Sequence, residues 1–149
     1  MKHLYKAITL LIFVSVINIV VSSQVSAEVS VVTHQHVNIK QLNRNQLRRI
    51  FSMRQPVWPD GQPIVVYVLS SDDAINKSFC KLILQMFPYQ LERQWNRLTY
   101  SGVGEPPVIV GNVEEMKRMI AETPGSIGYL PDTALTPEDK LNVLAGGTQ

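Results

Sequence analysis

Apolar residues along the chain form short runs that are separated by polar, glycine-containing and proline-containing segments. The β-branched runs 29–33, 64–69, 108–110 and 127–130 predict four strands, and residues 141–144 predict a fifth at an edge of the sheet. The run from Ile64 to Leu69 lacks the alternation of a half-buried strand. It therefore indicates a strand that is buried on both faces, as in a parallel sheet.

Helical spacing of apolar residues fills the intervals between these strands. It predicts helices over 43–51, 74–87 and 88–98, and another that begins after Asn112 and ends before Pro124. Asn43 or Asn45 is expected to cap the first helix, and Asn112 with Glu115 resembles a capping box. The apolar stripe of the second helix is expected to be Ile75, Phe79, Leu82, Ile83 and Met86.

Strands and helices alternate, so the sequence predicts an α/β fold with a mainly parallel sheet flanked by helices. No repeat or long linker divides residues 28–149, which are expected to form a single domain.

The first 27 residues have the pattern of a secretory signal peptide. Lys2 and Lys6 precede an apolar run, and Val25-Ser26-Ala27 has the small residues of a cleavage site. The alternative is an uncleaved anchor, but a spanning helix needs about 20 apolar residues, and Ser15 and Asn18 interrupt this run. The sequence thus predicts export to the periplasm, with no membrane span after cleavage.

The net charge of +2 comes from two lysines in the predicted signal peptide. Lys2 and Lys6 are two of the 14 basic residues, so residues 28–149 would carry 12 basic and 12 acidic side chains. This balance argues against nucleic acid as a partner bound through bulk charge. Arg44 and Arg48 lie one helical turn apart and, near Lys40, form a basic face that is either solvated or docks an anionic partner.

Motifs of catalysis and cofactor binding are missing from the sequence. It contains no P-loop, nucleophile elbow or dinucleotide fingerprint, so we predict a protein that is not an enzyme and needs no cofactor. The single cysteine, Cys80, is expected to be buried on a helix and not to act as a nucleophile. His34 and His36 could ligate a metal from one face of a strand, but a closed site needs further ligands, so no metal site is predicted.

The junction between the second strand and the second helix is the most informative local feature. In parallel sheets, ligands bind at the carboxyl ends of strands, where helix N-termini expose N–H groups. The polar side chains of this junction are candidate oxyanion-binding residues: Ser70, Ser71, Asp73, Asn76, Lys77 and Ser78. The alternative is that Asp72 or Asp73 only caps the helix.

Several segments resemble the substrate-binding proteins of phosphate ABC transporters in order and approximate spacing. They are Leu47-Arg48-Arg49-Ile50-Phe51, Trp58-Pro59-Asp60-Gly61, Ser78-Phe79, Trp95 and, most specifically, the stretch from Thr123 to Tyr129. The resemblance covers about residues 29–130. It implies a lobe of the periplasmic-binding-protein-like (type 2) fold, phosphate or another small oxyanion as ligand, and an ABC transporter or other envelope protein as partner.

The sequence departs from this family in two ways. Family members have two lobes that close over the ligand, and only one lobe is matched here. In the anion-contacting segment Asp73 is retained, but Ser71 replaces an arginine and residues 74–77 replace Gly-Ser-Gly-Thr, with Lys77 as a possible substitute charge.

Two functions therefore stay open. One is weak oxyanion binding at the junction. The other is an envelope protein–protein interaction module that kept the lobe and lost the ligand site, docking through Lys40, Arg44 and Arg48 or through the surface that met the missing lobe.

Overall fold

The structure, a computed structural model, describes residues 28–102 and 104–144. Strands and helices alternate along these residues, as the apolar pattern predicts. The strands are β1 (Val29–His34), β2 (Val65–Leu69), β3 (Val108–Val110), β4 (Ser126–Pro131) and β5 (Leu141–Leu144). The α-helices are α1 (Arg44–Phe51), α2 (Ala74–Phe79), α3 (Pro88–Ser101) and α4 (Val113–Glu122). A π-helical turn, Cys80–Leu84, continues α2, and a 3-10 turn, Asp132–Ala134, follows β4.

The strands form one sheet in the order β3-β2-β4-β1-β5. Strand β2 runs parallel to both of its neighbours, β3 and β4. Strand β1 runs antiparallel to β4 and to β5, so four strands point one way and β1 opposes them. The mixed, mostly parallel sheet confirms the predicted fold class, and β5 lies at an edge as expected.

Helices cover both faces of β4. Gly128 and Tyr129 are neighbours on this strand, so their Cα–Cβ directions point to opposite faces of the sheet. On one face, a Cβ atom at Gly128 would lie 2.6 Å from Cδ1 of Ile120 on α4. On the other face, the Tyr129 ring stacks on Phe79 of α2, with the ring centroids 4.0 Å apart. The core therefore has helix–sheet–helix layers, with β4 and β2 at their centre.

The loop after α1 is fastened to the turn that precedes β4. The buried Trp58 indole donates from Nε1 to the Gly125 carbonyl oxygen at 2.9 Å. Gly125 has φ +80°, and a Cβ atom there would collide with the Pro63 carbonyl oxygen, so glycine is required. Trp95 makes a similar bond from α3, donating from Nε1 to the Phe51 carbonyl oxygen at 2.8 Å. These aromatic and glycine residues hold the scaffold together.

The second helix differs from its prediction. It ends at Phe79, and the chain continues as a π turn up to Gln85, which adopts a left-handed conformation with φ 49°. A π turn spans more residues than an α turn, so it rotates the buried face. Cys80 is therefore fully buried, as predicted, whereas Leu82 is 45% exposed and does not belong to the expected apolar stripe.

The basic face of α1 packs against the end of this π turn. Arg48 donates from Nε to the Leu84 carbonyl oxygen at 2.7 Å and from Nη2 to that of Gln85 at 3.1 Å. Arg44 donates from Nε to the Ile83 carbonyl oxygen at 3.4 Å. The last carbonyl groups of a helix have no partner within it, and these guanidinium groups supply one. The two arginines share a face as predicted, but that face contacts the protein itself.

The predicted signal peptide, residues 1–27, lies outside the described residues. Across residues 28–102 and 104–144, no helix combines the length and the apolar character that crossing a membrane requires.

Candidate functional site at the β2–α2 junction

The junction after β2 lies at the carboxyl end of a strand with a parallel neighbour on each side. A tight turn links the strand to α2, with the Asp73 N–H donating to the Ser70 carbonyl oxygen at 3.0 Å. Ser70 and Lys77 are exposed, and Ser71 and Ser78 are half-buried. This is the position at which parallel sheets present ligand sites, as the sequence predicts.

Asp73 is the N-cap of α2. Its Oδ1 accepts hydrogen bonds from the N–H groups of Ile75 at 2.7 Å and Asn76 at 3.3 Å. The capping alternative considered for this carboxylate is thus present in the structure. Two of the helix N–H groups that an oxyanion would use are consequently occupied by the chain itself.

Asn76 lies beneath the junction and belongs to a buried polar network. It is 3% exposed, and its Oδ1 accepts from the Tyr129 hydroxyl at 2.7 Å. That hydroxyl in turn accepts from the Leu69 N–H at 2.9 Å, which ties β4 to the last residue of β2 and to α2. Burial raises the pKa of Tyr129, so the phenol stays protonated and able to donate. Asn76 therefore lies under the junction and stabilises it through these hydrogen bonds.

Ser71 and Lys77 line the same groove, which has a volume of about 740 Å³. The groove continues past Lys81 to Phe87 and Tyr89 at the start of α3. Among the described residues, neither the Ser71 hydroxyl nor the Lys77 ammonium group has a hydrogen-bond or ion-pair partner. Of the six candidate residues, the structure brings these two into one concavity. The other four, Ser70, Asp73, Asn76 and Ser78, do not line it.

The junction between β3 and α4 lies at the same end of the sheet, because β3 runs parallel to β2 and the carboxyl ends of the two strands lie side by side. Here Asn112 caps α4, its Oδ1 accepting from the Glu115 N–H at 2.8 Å. The Glu115 carboxylate accepts from the Gly111 N–H at 2.7 Å, whereas a regular capping box would use the N–H of Asn112. This second helix start is therefore also satisfied by its own side chains, an amide oxygen for the Glu115 N–H and a carboxylate for the Gly111 N–H.

The two histidines and the cysteine singled out in the sequence do not line this groove. The His34 and His36 rings contact each other edge to face at 4.8 Å, and Nδ1 of His34 accepts from the His36 N–H at 3.1 Å. Burial and the neighbouring ring lower the pKa of His34. Within the described part of the chain, no group of three or more potential metal ligands occurs. Burial raises the pKa of the Cys80 thiol to about 12, so this cysteine is not a thiolate nucleophile.

Sequence reasoning missed several residues that shape the site. Tyr129 stood in the most specific matched stretch, but nothing in that stretch indicates that its hydroxyl supports Asn76. Lys81 was part of a helix expected to be regular, and the π turn determines where its side chain points. Phe87 and Tyr89 flank the first residue of α3, and an exposed aromatic residue cannot be told from a buried one by sequence alone.

Solved structures of phosphate-binding proteins share this fold. A phosphate ABC transporter substrate-binding protein with bound phosphate from Clostridium perfringens has a TM-score of 0.60 at 16% identity, over 78% of this chain and 43% of that protein. An ABC-type phosphate transport receptor from Vibrio cholerae has a TM-score of 0.60 at 14% identity, over 78% and 44% of the two chains. PstS from Borrelia burgdorferi has a TM-score of 0.59 at 18% identity, over 81% and 47%.

The described chain thus has the periplasmic-binding-protein fold of the phosphate ABC transporter substrate-binding proteins, as the sequence resemblance implies. It spans less than half the length of each of these proteins. No family model matches the sequence, and no curated protein resembles it significantly in sequence.

Proposed function

We propose that this chain is an exported, non-enzymatic binding lobe that holds a small oxyanion weakly at Ser71 and Lys77. The observation that carries the proposal is the convergence of these two side chains on one groove at the carboxyl end of β2. A hydroxyl and an ammonium group, both without partners among the described residues, are donors suited to an oxyanion. The presence of phosphate in a structure of the same fold supports this choice of ligand.

The binding is expected to be weak for two structural reasons. Asp73 and Glu115 accept hydrogen bonds from main-chain N–H groups at the starts of α2 and α4, so fewer donors are left for a ligand. The groove is also open, and an exposed ion pair gains little in solvent of high dielectric constant. We expect an affinity on the order of millimolar. An ABC transporter or another envelope protein would then receive the loaded lobe.

Isothermal titration of the purified protein with phosphate, with sulfate at matched ionic strength, tests the proposal. We expect binding of phosphate and a loss of affinity of about fivefold in Lys77→Gln, equivalent to about 1 kcal/mol, which is the upper end of the range for an exposed ion pair. Lys140→Gln is the matched control, because it removes the same charge from an exposed position outside the groove. Absence of heat and of thermal stabilisation at tens of millimolar phosphate would contradict oxyanion binding, as would equal losses in the two variants.

Protein docking is a second candidate, favoured by the edge strand β3. In the described sheet, β3 pairs with β2 alone, and its Val108 and Ile109 side chains are 44% and 67% exposed. Open edges with exposed apolar residues accept further strands or partners. A photo-crosslinking residue at Ile109 is expected to give a discrete adduct in cells. The same residue at Leu82, which is 45% exposed on the π turn and does not lie on an edge strand, is the control and should give none.

A further inference from the structure

The groove that contains Ser71 and Lys77 is larger than an inorganic oxyanion requires. Its volume of about 740 Å³ lies in the range of sites for organic ligands, roughly 300–1,000 Å³. The far wall is built by the start of α3, where Phe87 and Tyr89 stand 64% and 55% exposed. Exposed apolar residues that line a concavity mark a surface that is covered by a ligand or partner.

The two aromatic rings stack on each other and form an aromatic platform along this wall. The Phe87 and Tyr89 centroids are 5.8 Å apart, and the ring planes are within 17° of parallel. Each ring of the pair keeps one π face that the other ring does not cover, and an offset-stacked contact of that face with a planar group is worth more than its buried area alone. The platform thus favours a ligand with an aromatic body over an aliphatic one.

The segment that carries the platform is held in place before any ligand arrives. The Phe87 N–H donates to the Gln90 Oε1 at 2.9 Å, and the Gln90 N–H donates to the Phe87 carbonyl oxygen at 2.9 Å. The Met86 N–H bonds to the Cys80 carbonyl oxygen at 2.9 Å, and Arg48 binds the Gln85 carbonyl oxygen at 3.1 Å. A fixed platform reduces the entropy lost on binding.

Charged side chains define the polar part of the groove. Lys77 and Lys81 line it together with Asp72 and Glu92, so its formal charge is zero. In the described chain none of these four side chains forms an ion pair, and the two lysines stay available to a ligand. The two carboxylates disfavour an ion of high negative charge. A single anionic group therefore fits the groove better than a dianion.

We infer that this groove binds a small organic monoanion with a flat aromatic body. The oxyanion group lies between Ser71, Lys77 and Lys81, and the aromatic body lies on Phe87 and Tyr89. This inference rests on the proposed function because both use Ser71 and Lys77, but it adds a ligand class, the Lys81 ammonium group and two aromatic residues that inorganic phosphate does not need.

Titration of the purified protein with naphthalene-2-sulfonate and methanesulfonate tests the inference, since both probes carry the same monoanionic head. We expect one site per chain and an affinity for the aryl sulfonate about tenfold higher, equivalent to about 1.4 kcal/mol. The double variant Phe87→Ala/Tyr89→Ala should lose this advantage and keep the affinity for methanesulfonate. Tyr100→Ala is the matched control, because Tyr100 is 90% exposed and lies outside the groove.

Each outcome separates the inference from the proposed function. Equal affinities for the two sulfonates, or an aromatic advantage that survives in Phe87→Ala/Tyr89→Ala or disappears in Tyr100→Ala, would overturn the inference and leave oxyanion binding intact. Naphthalene-2-sulfonate binding that depends on Phe87 and Tyr89, with no binding of phosphate, would support the inference and overturn the proposal for inorganic oxyanions. Failure of every probe to bind would overturn both.

Discussion

The turn before β4 and the junction after β2 both lie within residues 29–130, the region that resembles phosphate-binding proteins, but the turn matches the family and the junction departs from it. Around the turn, Gly125 receives the Trp58 indole and Gly128 admits helix α4 against the strand. Tyr129 stacks on Phe79 and bonds to two neighbouring elements. Gly125, Gly128 and Tyr129 are therefore used in packing, and a ligand is not needed to explain these three matched residues.

The junction shows the opposite relation between resemblance and structure. Its retained carboxylate, Asp73, caps a helix, and the residue in place of the family's arginine, Ser71, has no partner among the described residues. The fold and the ligand chemistry can change separately, because they depend on different side chains. A motif that identifies the scaffold is thus weak support for the ligand: the match predicts the fold, which the structure confirms, and oxyanion binding at the site stays a prediction.

Substitution of Gly125 by alanine tests the scaffold most severely. We expect a loss in the free energy of unfolding of about 3–5 kcal/mol, from backbone strain at φ +80° and from collision with the Pro63 carbonyl oxygen. Gly61→Ala is the matched control. Gly61 has a similar φ of +88°, but a Cβ atom there would meet nothing within 4 Å. The control should lose about 1–2 kcal/mol in the same urea titration.

The difference between the losses in unfolding free energy of Gly125→Ala and Gly61→Ala measures the cost of the collision with the Pro63 carbonyl oxygen at Gly125. Equal losses would show that the turn tolerates a Cβ atom, and the scaffold role assigned to this glycine would then be wrong.

Tyr129→Phe removes the link between the scaffold and the junction. The change leaves the Leu69 N–H without its acceptor and the Asn76 Oδ1 without the phenol, so we expect a loss of about 2–3 kcal/mol. Tyr67→Phe is the control, because its hydroxyl bonds only to the half-buried Thr123 Oγ1, which can turn to water. Its loss in thermal or urea unfolding should be about 1 kcal/mol or less. A smaller effect at Tyr129 than at Tyr67 would contradict the supporting role of the network.

Local patterns were sufficient to predict most of the fold. The Ile64 to Leu69 run indicates a strand with parallel neighbours, and the structure confirms it. Asn112 caps its helix as predicted, and Asn43 is the cap among the two that the sequence offered for the first helix. These features depend on residues within a few positions of each other, so they are visible without knowledge of the tertiary structure.

The errors arose where distant residues decide the outcome. Arg48 reaches the Leu84 carbonyl oxygen from another helix, and no local pattern distinguishes that contact from a solvated face. The π turn after Phe79 changes the register of the second helix and exposes Leu82. The groove is likewise assembled from two separate segments, so the sequence could propose Ser71 and Lys77 but could not pair them with Phe87.

Substitution of Asp73 gives the smallest effect and separates capping from ligand binding. Asp73→Ala should lose about 1 kcal/mol of stability, since it removes the acceptor for the Ile75 and Asn76 N–H groups. Asp73→Asn keeps a side-chain oxygen that caps equally well and should be nearly neutral in urea unfolding. Because this carboxylate is engaged by the helix, phosphate affinity in Asp73→Asn should be unchanged or slightly higher, as one negative charge is removed near the groove. A clear drop in phosphate affinity in Asp73→Asn would show that the carboxylate accepts a hydrogen bond from the ligand, and the assignment of Asp73 to helix capping alone would be wrong.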